Sequence, residues 1–314
     1  MSGNDSHDPS THPPHAIRDA LEALLRGNPA ATLEEINALA ARSAMAYNRT
    51  PQEELGGLSP VQMRALLDDD WSGTGVVRLD DTLHPDDVAP SRILHNVRLL
   101  LNAVAECGSV RATAQGNLPR ALVRDLADRL LVPAGYLAGH LSGRLNEEDV
   151  VPLHRARILA ELGGLLKRRK GAYSLTARAS RLAREERSGG LYALLFATYF
   201  RRMNLAYFDR YGHDAPAFQY MMAYLLYRFA LLGEGWRSPE DVAAAILPDP
   251  VLAELPPTGG LEWAPFVTER RLLVPLADFA LAESRSHGRE QDRLRLRTYR
   301  ATPLFHRFIH FTLD

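Results

Sequence analysis

The stretch from Leu153 to Ala183 reads LHRARILAELGGLLKRRKGAYSLTARASRLA, and it constrains the fold more than any other part of the chain. An amphipathic helical pattern runs into the apolar pair Leu165-Leu166. Four consecutive cations follow, Lys167, Arg168, Arg169 and Lys170, then Gly171 and a short β-prone run. A new helix starts near Thr176. The order predicted is helix, strand, basic turn, strand.

The 314 residues leave room for about two or three domains. A hydrophobic content of 46% is enough to bury a core. The single cysteine, Cys107, excludes an internal disulfide and a cysteine-based zinc cage, and it fits a reducing compartment. The first 15 residues carry acids and prolines where a secretory leader needs cations and an apolar run. The most apolar window, 218–232, is shorter than the roughly 20 residues a bilayer needs, and Arg228 interrupts it. A cytoplasmic protein without membrane contact is expected. The net charge of −1 hides a split: residues 1–90 carry −9 and the remainder +8. An acidic head therefore precedes a basic body.

Along the chain, residues 1–15 read as a disordered tail and 16–71 as an acidic helical domain. Within the latter, Thr32 with Glu35 and Ser59 with Gln62 have capping-box spacing. Leu33, Ile36, Ala40, Ala44 and Tyr47 are expected on one helix face. Residues 72–90, rich in Gly, Asp and Pro, read as a linker or a surface loop. Residues 91–187 hold a helix from Ile93, a short strand at Ser109–Thr113, a helix opened by Pro119, and the segment described first. Residues 191–232 carry 12 of the chain's 24 aromatics, read as two helices with buried rings and a break near 212–216. Beyond them come a helix capped by Ser238 and Asp241, a helix over 266–281 that Pro275 kinks or splits, and an alternating strand at Arg293–Tyr299. The second half of the 91–187 order is thereby repeated in residues 217–314.

Helix, strand, helix, helix, strand, wing, strand is the winged-helix order. The fold class expected is mainly α with small β wings: a helical head, a winged helix at 91–187, an aromatic helical segment, and a second winged-helix-like unit within 188–314. In a helix-turn-helix scheme the helix before the wing reads the groove. Its outward face would show His154, Arg155, Arg157 and Glu161. Lys167, Arg168, Arg169 and Lys170 would lie on the phosphate backbone, where each cation releases a condensed counterion. Arg293, Arg295 and Arg297 alternate, so all three would face flanking phosphates.

Other constellations point less far. His306 and His310 are spaced i, i+4 and could chelate zinc on a final helix, but HRFIH lacks the metalloprotease glutamate and a third ligand. The runs Asp68–Asp70 and Glu147–Asp149 could recruit a hard cation, though adjacent carboxylates more often cap or solvate. No Gly-rich phosphate loop ends in Lys-Ser/Thr, Gly73-Thr74-Gly75 is too short to be one, and no G-x-S-x-G elbow occurs. Neither a cofactor nor a metal is expected, and no catalytic residue is assigned.

Three segments, EELGGLSPVQMRALL (53–67), ATAQGNLPRALV (112–123) and residues 153–182, together resemble a family of bacterial proteins of unknown function. The resemblance covers most of residues 30–310 and implies a bacterial source, but no activity. Some relatives have cysteine-rich zinc tails, which this chain lacks. Separately, LLKRRKGAYSLT resembles the wing of winged-helix regulators. The leading expectation is a nucleic-acid-binding accessory protein, DNA favoured over RNA. The alternative is a protein-interaction scaffold or self-associating adaptor, and the third reading is an enzyme with an unrecognised site.

Overall fold

The computed structural model describes residues 31–133, 145–209, 212–256, 263–286 and 297–313, with parts of 18–28. Two compact units emerge: residues 1–68 with 313–314, and residues 69–312. Among the described residues the chain is mainly helical with three small antiparallel sheets, as the patterning requires.

The first unit contains α1 (Leu33–Arg49) and α2 (Pro60–Asp68). Thr32 and Glu35 cap α1 reciprocally, the Thr32 N–H donating to Glu35 Oε2 at 2.8 Å. Ser59 and Gln62 do the same for α2. Each exchange satisfies two backbone N–H groups that a helix start leaves orphaned. Ile36, Ala40, Ala44 and Tyr47 are half-buried on one face of α1. Leu33, expected beside them, is 73% exposed.

The second unit begins at Asp69, a few residues before the boundary expected at 71. The Asp69 carboxylate accepts from the Trp71 and Val77 N–H groups, and the Trp71 ring stacks on Phe196. Residues 72–90, expected as a linker, contain β1 (Val77–Leu79) and α3 (Pro85–Val88). Strand β1 pairs with the C-terminal strand, and Val77 and Val88 are fully buried. Polar composition hid this because only single apolar residues anchor the segment. It passes against Gly189, where a Cβ would lie 2.6 Å from Asp81 O, so only glycine admits the close approach.

Next come α4 (Arg92–Cys107), β2 (Val110–Arg111), α5 (Arg120–Ala127), α6 (Val151–Leu162), β3 (Leu166–Arg169), β4 (Ala172–Leu175) and α7 (Ala177–Leu182). The strands form one antiparallel sheet in the order β2-β4-β3, with Val110 opposite Tyr173 and Leu166 opposite Leu175. Period-two alternation places Val110, Leu166 and Tyr173 on the core side.

Helix α8 (Ser188–Arg202) carries the aromatic core. Tyr192, Phe196, Tyr199 and Phe200 meet Phe279, and Tyr192 and Phe196 also reach Phe308, at centroid distances of 4.7 to 6.2 Å. The buried Tyr192 hydroxyl donates to Phe279 O at 2.6 Å. After α8 come α9 (Pro216–Tyr220), α10 (Met222–Leu231), α11 (Pro239–Ile246) and α12 (Asp249–Ala253).

A long helical run then opens as α13 (Trp263–Thr268), widens to a π segment at Glu269–Leu273 and closes as α14 (Val274–Asp278). The widening accommodates Pro275, which lacks an N–H and whose ring would strike the Arg271 carbonyl in a regular helix. The helix therefore passes through the proline. The chain ends with β5 (Ala282–Ser286), β6 (Arg297–Ala301), α15 (Pro303–Phe308) and β7 (Ile309–Phe311).

The repeat suspected from the sequence can be followed bond by bond. Leu165 N donates to Ala160 O, and Leu281 N to Leu276 O, each at 2.8 Å. Thr176 N donates to Leu165 O, and Thr302 N to Leu281 O, each at 3.0 Å. Both threonines cap the next helix and return their hydroxyls to a left-handed residue, Gly164 in one case and Ala280 in the other. Tyr173 and Tyr299 are equivalent inner-face residues, and each faces a third strand position, Val110 and Arg237.

Candidate nucleic-acid interface

Strands β3 and β4 are joined by a two-residue turn, Lys170-Gly171, with φ of 49° and 74°. Two left-handed residues make the tight primed turn whose twist matches the hairpin. The first position usually takes Asn, Asp or Gly, so a lysine there accepts local backbone cost to put a cation at the tip.

Register decides what each hairpin cation does. Lys167 and Arg169 share the outer face with Arg111 from β2, and their cross-strand neighbours are the small Ser174 and Ala172. Nothing bulky shades these three charges, and all three are exposed. Arg168 lies on the opposite face, where its guanidinium rests on Gly116, and a Cβ there would collide with it. Among the described residues none of Lys167, Arg168, Arg169 and Lys170 forms an ion pair.

Helix α6 behaves differently. None of its twelve residues is exposed. Arg155 pairs with Asp278 at 2.7 Å, and the same carboxylate takes Arg92 at 2.8 Å. Arg157 pairs with Glu147 at 2.5 Å and also with Glu161. His154 is buried and its Nδ1 lies 2.6 Å from Glu147. The groove-reading face expected at His154, Arg155, Arg157 and Glu161 is thus an internal charge cluster. Buried charges persist only when paired; Glu147 and Asp278 come from outside the helix and Glu161 from within it. The acidic run Glu147–Asp149 was the available signal: Glu147 is fully buried and also accepts the Leu118 N–H at 2.6 Å, so it neither solvates nor awaits a cation. Burial pushes Glu147 up, but the hydrogen bonds from His154 and Arg157 outweigh it and hold the carboxyl below its ordinary value. Burial pulls Arg157 down, yet Glu147 keeps it above the usual arginine value.

Arg297 is half-buried in β6, opposite Ser286 and 3.9 Å from Glu269 Oε1. Glu269 also accepts the Tyr299 hydroxyl at 2.6 Å. Arg293 and Arg295 lie outside the described residues. His306 sits in α15, whereas His310 sits in β7 opposite Arg78, so the two do not share a helix. His310 Nε2 contacts Arg307 O at 2.9 Å. Among the described residues no group of histidines, cysteines and carboxylates could hold a metal, and no helix is long and apolar enough to cross a membrane.

Residues 89–188 match the family model described as the Y4jL N-terminal domain, an uncharacterised family. The match spans the three-stranded sheet and the helices α4 to α7. No curated protein and no solved structure matches the chain.

Proposed function

We propose that residues 91–187 act as a winged helix that holds nucleic acid, DNA in the first instance, by its phosphate backbone without reading base sequence. The observation carrying this reading is the open cationic face of Arg111, Lys167 and Arg169 with Lys170 at the turn, free of ion pairs among the described residues. Sequence readout needs side chains at base edges, and α6 presents no exposed residue for that purpose. Backbone contact alone gives sequence-independent, salt-sensitive binding. One exposed thiol, Cys107, suits the reducing cytoplasm in which such a protein would work.

An electrophoretic shift assay at low salt tests the proposal. The protein should retard duplexes of unrelated sequence about equally. Replacing Lys167, Arg168, Arg169 and Lys170 by glutamine should weaken binding and reduce the salt slope by roughly 0.9 per lost phosphate contact. Equal retardation by both proteins would exclude the hairpin.

The adaptor reading draws on α1, which has no buried residue and leaves Leu33 and Met45 exposed. Light scattering with and without Leu33→Asp and Met45→Asp separates it from the first reading.

A further inference from the structure

Three side chains form a chain from core to surface. Glu147 is fully buried, His154 is 5% exposed and Tyr207 is 57% exposed. His154 Nδ1 lies 2.6 Å from Glu147 Oε1, and His154 Nε2 lies 3.0 Å from the Tyr207 hydroxyl. An ionised carboxylate only accepts, so the Nδ1 facing it carries the hydrogen. In the neutral imidazole Nε2 is then the acceptor for the Tyr207 O–H. The Phe208 ring packs edge-on against the imidazole at 5.8 Å and fixes its plane. A hydroxyl donating to a base that a third group orients is the arrangement that activates an oxygen nucleophile.

We infer that Tyr207 is a nucleophilic tyrosine that accepts acyl groups from uncharged activated acyl donors. The phenolic oxygen attacks the carbonyl carbon and its proton passes to His154 Nε2. The bond from carbonyl carbon to leaving group breaks, and the leaving group departs with the electron pair and is protonated by His154 or water. The product is an acyl ester on Tyr207, with no change of oxidation state. Glu147 is a positioning residue that holds the imidazole in the accepting tautomer. An uncharged donor fits the commitments of the two described arginines of this cluster. Arg157 is committed to Glu147 and Glu161, and Arg155 to Asp278, so among the described residues neither is free to neutralise a phosphoryl group.

The molecule contains its own reference. Tyr220 is 55% exposed and makes no hydrogen bond through its hydroxyl among the described residues. The full chain is treated with p-nitrophenyl acetate, and acetylation at each tyrosine is followed by peptide mass spectrometry. Tyr207 should be acetylated at least about tenfold faster than Tyr220, at the low end of what a positioned base contributes. Equal rates in the unaltered protein would overturn the inference without recourse to any variant. His154→Ala should bring Tyr207 to the Tyr220 rate, and added imidazole should restore the ratio, which a purely structural role would not allow. With p-nitrophenyl phosphate no phosphotyrosine should form at residue 207; its appearance would overturn the assignment of an uncharged donor.

Discussion

The two hairpins of the second unit occupy equivalent places in the repeat and treat their cations in opposite ways. On β3–β4 the outer face shows Lys167, Arg169, Ala172 and Ser174, and the cations stand open. The corresponding face of β5–β6 shows Glu283, Arg285, Thr298 and Arg300. There Glu283 pairs with Arg300 at 2.8 Å, and Trp236 lies under both guanidiniums, 3.9 Å from Arg285 and 4.8 Å from Arg300. One backbone framework therefore supports a free cationic surface and a neutralised, ring-covered one. A count of basic residues does not distinguish them; cross-strand neighbours do. The same holds one layer deeper, where Arg155 and Arg271 are equivalent and each has found a buried aspartate, Asp278 and Asp209.

The comparison breaks most visibly at those arginines. Arg271 is 2% exposed and also donates to the His213 and Asp214 carbonyls. Arg271→Ala takes away the guanidinium that the buried Asp209 carboxylate holds and should cost about 3–5 kcal/mol in urea denaturation. Arg155→Ala should cost less, because Asp278 keeps Arg92. Equal losses would mean that burial does not separate the two pairs.

Nucleic-acid affinity sharpens the contrast next. The four-glutamine hairpin variant should lose about 10- to 100-fold in affinity at moderate salt. Arg285→Gln with Arg300→Gln should change it by less than about twofold, since those charges are already engaged. Comparable losses would extend the interface to both hairpins.

Acid should affect the first hairpin unit through Glu147. Its carboxyl is held below the ordinary value of 4.5, so its contribution is present above that value and is lost as the pH falls through the folded-state value. Denaturation midpoints should drop on acidification, and Glu147→Gln should be less stable at neutral pH and show a shallower decline. A decline of unchanged steepness would move the acid sensitivity elsewhere.

The smallest effect concerns the turn residue before each hairpin. Gly164 has φ of 68° and Ala280 has φ of 64°. Ala280→Gly should stabilise by about 0.5–1 kcal/mol and Gly164→Ala destabilise by about 1 kcal/mol, because a side chain in the left-handed region is strained. Thermal denaturation of the two variants would show opposite shifts in Tm.

Short-range signals were readable before any coordinates. The caps at Thr32, Ser59 and Ser238 close within three residues, and the β3–β4 hairpin announces itself by a cation run before Gly171. Long-range choices were not. Arg157 looked like a groove contact because hydropathy marks a charged residue as outward, whereas its partner Glu147 lies on another element ten residues earlier. Arg155 depends on Asp278, which is 123 residues away. Residues 72–90 looked unstructured until their strand met one near the C-terminus.

The sequence alone determined the capped helix starts, the cationic turn and the recurrence of the hairpin order, since those depend on propensity and capping within a few residues. Only the tertiary structure decided which cations stay open to solvent. Pairing a buried charge is a matter of distance in space, and distance between remote segments is set by packing.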